Sequence, residues 1–372
     1  MIYFDNAATG FPKSKAVLAA MESAFHTCGN AGRSGHPAAV AASEAIYNCR
    51  EALAKFLSAD SEKIILTANA TMALNIAIKG AVSSGNIFIS PLEHNSVTRP
   101  LYALSKSENI KIKALDFWLH DDVKTLEYFE KSCKNGISAV VITHASNICG
   151  KVLPVEKIAE IAKRHGAIVI VDAAQSIGHI KIDLSKSNID ILCFSGHKGL
   201  YGPLGTGAMV INKKFDKKIK TIIEGGSGIA SFGKSMPFVL PERFEPGTQN
   251  AVAFAGLSAA VNEHEFSQNE KQVFEYLLDK LNENKKIKLI GVPSEKSELY
   301  TPVILFNVDG MGCEEVGNRL SEKEICVRSG YHCAPYAHKF LKTGGGVRIS
   351  AGRDSTFAEC DALMEALNEI VS

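Results

Sequence analysis

The sequence has almost no net charge. In 372 residues, 41 Lys and Arg face 40 Asp and Glu, which leaves +1. No global field therefore draws in nucleic acid or an anionic membrane, and neither is expected as a partner. Also missing is any run near the roughly 18 apolar residues that a membrane-spanning helix needs. The longest strongly apolar stretch, around Ala167 to Ala174, is broken by Asp172. The opening MIYFDNAATG has no basic segment followed by an apolar one, so no signal peptide is expected and the chain is read as cytoplasmic. No Cys-x-x-Cys pair occurs, and the nine cysteines are odd in number and scattered. That pattern suits a reduced intracellular protein better than a disulfide framework. The nearest metal-like cluster, His332, Cys333 and His338, offers too few ligands at no familiar spacing, so no metal is expected. Internal repeats and low-complexity tracts are lacking too.

What is present is a folding composition, with 46% hydrophobic and 22% charged residues. The length suits roughly two to three domains. Apolar runs alternate with helical periodicity through the first half, which argues for an α/β architecture with a mainly parallel sheet covered on both faces. Strands are expected over 63–67, 86–90, 110–114, 138–143, 167–171, 191–194 and 207–211. Helices are expected over 38–56, 71–82 and 155–164. Past Gly225 the segment EGGSGIASFGKSMPFVLPERFEPGTQN is rich in Gly, Ser and Pro and aperiodic, and long segments of this kind are often functional. Helical periodicity resumes over 251–283, with a bend allowed by its length. Strands over 287–291, 300–308, 325–328 and 346–350 and helices over 314–321 and 356–371 complete a smaller α+β unit.

Two stretches carry chemistry. In CFSGHKGLYGPLGTGAMVI, Cys193 to Ile211, a lysine sits in a tight glycine-flanked loop between two strands. A dinucleotide-binding glycine loop must open a helix, and AMVI reads as strand, so that possibility falls. A desolvated lysine suits a Schiff base instead, because burial lowers its pKa and yields the neutral amine. Ser195 and His197 beside it could bind a phosphate. In IVIVDAAQSIGH, Asp172 ends a buried apolar strand, where a carboxylate is costly unless something cationic pairs with it. Lys198 follows 26 residues later, enough for a loop and strand that bring both to one sheet edge, where open α/β sheets bind ligands. Pyridoxal phosphate enzymes need this pair: a lysine for the aldehyde and an acid that keeps the pyridine nitrogen protonated.

With these motifs, the LEHNS around His94 and the late VRSGYHCAP, the chain resembles the class V aminotransferase superfamily, specifically its group II cysteine desulfurase and selenocysteine lyase branch. The likeness runs from YFDNAAT to the VRIS of Arg348. It implies pyridoxal phosphate fold type I, with a large cofactor domain over 15–255 and a small domain made of 1–14 and 256–372. It also implies that Lys198 holds the cofactor and moves the Cα proton, that Asp172 pairs with the pyridinium nitrogen, and that Gln175 bonds the phenolic oxygen. His94 would stack on the ring, and Asn147 would flank cofactor and substrate. The phosphate would be held by Thr71 at a helix start, by Ser195 and His197, and by Thr248 reaching across a homodimer interface. In this pattern two hydroxyl residues usually adjoin at the helix start, whereas Ala70 precedes Thr71 here.

Arg348 would clamp the substrate carboxylate, with Arg328 and His36 on the substrate side and Arg33 near them. Cys333 would be the nucleophile, its thiolate favoured by His332 and Arg328. The resemblance implies a transferase acting on L-cysteine: sulfur passes to Cys333 as a persulfide, L-alanine is left, and an acceptor protein or small thiol takes the sulfur. L-selenocysteine could enter the same cycle. Other class V reactions are the rival enzyme class, and a non-catalytic sulfur-transfer scaffold is the remaining alternative.

Overall fold

The computed structural model describes residues 1–32, 34–107, 109–215, 219–294 and 299–371. Seven strands form the central sheet, in the order Ile64–Thr67, Gly207–Ile211, Ile191–Ser195, Ile168–Asp172, Ala139–Thr143, Gly85–Ile89, Ile110–Ala114. Gly207–Ile211 runs antiparallel to both its neighbours, and the five strands beyond it are mutually parallel. The three central parallel strands and Gly207–Ile211 are buried at every position, which explains their β-branched, unbroken apolar sequences. Alternate residues point to opposite faces. Val140, Ile142, Val169 and Val171 enter one core, and Val141, Ile168 and Ile170 enter the other. Each such side chain contributes roughly 1.5–3 kcal/mol through burial.

Helices cover both faces, and their ends are written locally. Pro37–Leu57 has proline in its first turn and stops at Ser58, which takes a left-handed φ of 54°. Ala70–Ala81 is capped by Asn69, whose side chain accepts the Met72 amide at 2.9 Å. The 251–283 stretch is two helices, Ala251–Asn262 and Gln268–Glu283, because Ser267 caps a new start by accepting the Glu270 amide. Ala251–Asn262 straddles the expected boundary at 255, and Leu257 and Val261 pack into a core of the large sheet.

A second, antiparallel sheet has the order Arg328–Gly330, Gly346–Ser350, Val303–Val308, Ile287–Ile290. The single strand expected over 325–328 is split. Ile325–Cys326 pairs in parallel with Ile2–Tyr3, and the chain changes partner at Val327 to join the antiparallel sheet. Phe4 is buried in the core of this second unit, so the N-terminal segment is built into it. Among the described residues, no helix is long and apolar enough to cross a membrane.

Candidate active site

The carboxyl ends of the parallel strands converge on a cavity of about 150 Å³. Thr143, Asp172 and Ser195 end their strands there, and His94 and the start of Ala70–Ala81 close the sides. Lys198, Asp172, Gln175, His94, Thr71, Ser195, His197 and Asn147 all line it, so eight of the expected residues, separated widely in sequence, share one wall. The lysine turn is rigidly seated. The Tyr201 amide donates to Lys198 O at 2.8 Å, and His197 O accepts the Gly10 amide at 2.9 Å and the Thr9 hydroxyl at 3.0 Å.

Burial sets the protonation states. It pulls the Lys198 pKa down to about 8, helped by Arg348 and Arg328 and opposed by Asp172. Burial pushes Asp172 upward, against the Ala174 amide that its Oδ1 accepts at 2.9 Å and against the Lys198 charge. A cationic ring nitrogen beside that carboxylate would reverse the shift. His94 is pulled down to about 4 by burial, then by Lys198 and Arg348. Its Nδ1 accepts the Ser96 amide at 3.0 Å, leaving a neutral ring with its proton on Nε2. His197 is likewise held near 4, by burial first and then Lys198 and Lys13.

Arg348, Arg328 and Cys333, expected on the substrate side, come from the second sheet and the loop beside it, outside the cavity lining. Arg348, 3% exposed, donates through Nη1 to Asn147 O at 3.0 Å and through Nη2 to Asp5 Oδ1 at 2.8 Å. Asn147 Nδ2 donates to His332 O at 2.9 Å, and the Asn95 amide donates to Cys333 O at 2.9 Å. These bonds moor the cysteine loop to both cofactor-side loops. The Cys333 side chain is exposed, and His332 and Cys333 both take left-handed φ angles, 49° and 57°. Such strain in non-glycine residues persists only where the surroundings hold it.

Two expectations change. His332 cannot help the thiolate as a cation: burial, then the Arg348 charge, pulls it down to about 3, and its Nε2 donates to Arg328 O at 3.0 Å. His36 is exposed, lies outside the cavity lining and caps Pro37–Leu57 by accepting the Ala39 amide at 3.2 Å. Thr248 is exposed and does not line this chain's cavity. Arg328 is half-exposed and held by Asp5, and Arg33 lies outside the described residues.

The structure also adds residues. Ser96 lines the cavity with its Oγ 2.9 Å from Thr71 Oγ1, giving the phosphate end a second hydroxyl that Ala70 does not supply. Glu93, fully buried and next to His94 in the chain, accepts the Thr143 amide at 2.9 Å, and burial pushes its pKa to about 8. Neither signal is readable locally, since a serine in LEHNS has many uses.

A pyridoxal phosphate fits this donor set. Among the described residues His197 Nδ1 is buried without a partner at the expected phosphate end, Asp172 is a buried carboxylate in search of a cation, and Lys198 is an amine depressed toward neutrality. Fold and site together define a pyridoxal phosphate enzyme of fold type I. Comparison then narrows the class: residues 2–363 match the family model Aminotransferase class-V, and the chain belongs to that family. A probable cysteine desulfurase of Pyrococcus abyssi is 31% identical over 100% of this chain and 94% of its own. One from Halalkalibacterium halodurans is 33% identical over 99% and 93%. The apo structure of a cysteine desulfurase from Thermococcus onnurineus NA1 superposes with a TM-score of 0.90 at 30% identity, covering 100% of this chain and 94% of that one.

Proposed function

We propose that this protein is a pyridoxal phosphate-dependent cysteine desulfurase that converts L-cysteine to L-alanine and receives the sulfur on Cys333. The observation that supports the reading is the mooring of the Cys333 loop, through the Cys333 and His332 carbonyls, to Asn95 and to the cavity-lining Asn147. The cofactor, when bound, supplies an aldehyde that Lys198 holds and a ring that takes up the electron pair left when the Cα proton departs.

The chain's residues do the rest. Lys198, once free of the cofactor, would take the Cα proton on Nζ as a base whose pKa burial draws down to about 8. Asp172 would hold the cofactor's ring nitrogen as a cation. His94 would offer it a neutral ring, and Gln175, which spends one N–H on Ala7 O at 2.9 Å, would have a second for the cofactor's oxygen. Thr71, Ser96, Ser195 and His197 would hold the phosphate, and Arg348 and Asn147 the substrate carboxylate. The Cys333 thiolate attacks the substrate sulfur: an S–S bond forms as the Cβ–S bond breaks, and the electron pair stays on the carbon that becomes the alanine methyl group. The sum is Cys333 thiol plus L-cysteine giving Cys333 persulfide plus L-alanine, balanced without an outside oxidant.

The reading extends to a homodimer with Thr248 of each chain serving the other's phosphate, to an acceptor protein or small thiol that clears the persulfide, and to the cytoplasm, where nine free cysteines stay reduced. The test measures alanine released from L-cysteine and from L-selenocysteine by the intact protein and by Cys333→Ala. The variant should lose L-cysteine turnover by at least about 100-fold, the scale of losing a nucleophile. It should keep part of its selenocysteine turnover. Undiminished alanine release from L-cysteine would remove Cys333 from the mechanism, and a keto acid product would point to transamination.

A further inference from the structure

The substrate clamp is not a lone arginine. Arg328 and Arg348 stand directly opposite one another on antiparallel strands, where like charges repel. One carboxylate lies between them. Asp5 Oδ1 accepts from Arg348 Nη2 at 2.8 Å, and Oδ2 accepts from Arg328 Nε at 3.1 Å with Nη2 at 3.0 Å. Two cations and one anion leave the group a single positive charge. Arg348 Nε is buried with no partner among the described residues, so the guanidinium keeps a free donor.

Asp5 is itself fixed by the strands it serves. The Phe4 amide donates to Cys326 O at 2.9 Å, the Ser350 amide donates to Phe4 O at 2.7 Å, and Asp5 bridges in parallel to Ser350. Its carboxylate also reaches the cysteine loop indirectly, because the Arg328 carbonyl that accepts His332 Nε2 belongs to the arginine it holds.

We propose that Asp5 is a positioning residue for substrate binding: it fixes the guanidinium planes of Arg348 and Arg328 so that an amino acid's α-carboxylate meets a preorganised, singly positive clamp. The inference rests on the desulfurase reading for its substrate. Two effects of losing the Asp5 charge oppose each other. Added net positive charge attracts any anion, whereas repulsion between the arginines and loss of the bidentate hold disorders the receiving plane. Guanidinium–carboxylate recognition depends on coplanar paired bonds, so the second effect wins.

The experiment compares cofactor-loaded wild type, Asp5→Asn and Asp5→Glu. It measures KM and kcat for L-cysteine and, by calorimetry, Kd for L-alanine. Asp5→Asn should raise KM and Kd in parallel, on the order of tenfold, the scale of losing one charge-assisted contact. In the same variant kcat should stay within about threefold, because the contact acts on binding. Asp5→Glu, which keeps the charge on a longer arm, should fall between the two. Unchanged or lowered KM and Kd in Asp5→Asn, or a fall in kcat alone, overturns the proposal. If Asp5→Asn does not fold, equal constants for wild type and Asp5→Glu overturn it. A wild type that releases no alanine from L-cysteine sinks the desulfurase reading, while the L-alanine Kd ratio still decides the role of Asp5.

Discussion

Lys198 acquires its reactivity from burial, and this has a measurable sign. Taking the ammonium out of water disfavours its charged form, Arg348 and Arg328 push the same way, and the proton leaves near pH 8. Adding cofactor to the cofactor-free protein should therefore give a capture rate, read from the absorbance of the lysine-bound cofactor, that rises through pH 7–9 with a midpoint near 8 and then levels. An unburied lysine would keep rising toward about 10.4. Asp172 holds the Lys198 proton on, so Asp172→Asn should move the midpoint lower. A midpoint near the ordinary lysine value would contradict the burial argument. Lys198 and Asp172 were legible in sequence because each stands out against its neighbours, a lysine among glycines and a carboxylate ending an apolar strand. Asp5 and Ser96 were not, because what matters about them is a partner 343 and 25 residues away.

The turn after Lys198 works as an element, through backbones packed too closely for a side chain. A Cβ on Gly199 would lie 2.2 Å from Ile177 O and 3.0 Å from the His179 ring, and one on Gly178 would lie 2.3 Å from Gly199 O. Gly199→Ala must therefore push the lysine turn away from the loop that follows Asp172. Overpacking of this kind costs roughly 1–3 kcal/mol. A melting-temperature drop of several degrees, together with reduced cofactor content after purification, is the expected result. Gly32→Ala, where a Cβ meets nothing within 4 Å, should behave as wild type. Equal melting temperatures and cofactor content for both variants would refute the packing argument. The strands around this turn were readable from apolar runs, and 110–114, 207–211 and 346–350 match the observed bounds. The split at Val327 was not readable, because which sheet a short strand joins depends on the N-terminal segment that pairs with it, more than 300 residues earlier.

At the scale of the whole molecule, one segment exposes apolar side chains that the described residues leave uncovered. The aperiodic stretch is anchored at one end: Glu245, buried, accepts the Leu66 amide of the sheet's outermost strand at 2.6 Å and pairs with Arg50. Its middle carries Phe232, Phe238 and Val239, all exposed, at 105%, 76% and 59%, with Leu204 exposed elsewhere at 67%. Single exposed apolar side chains are ordinary, but three on one tethered segment call for cover. The proposed homodimer would supply it and would carry the neighbouring Thr248 to the second cavity. The pair Phe232→Asp and Phe238→Asp should convert a particle of twice the chain mass to one of a single chain mass in light scattering. That particle should also lose cofactor on dilution, since one phosphate contact leaves with the partner. Thr248→Ala, by contrast, should stay dimeric and lose cofactor several-fold more readily than wild type, the scale of a single hydrogen bond to a charged group. A double-aspartate variant that stays dimeric would show that the segment does not cover the partner, and a monomer that holds cofactor as tightly as wild type would show that the partner supplies no phosphate contact.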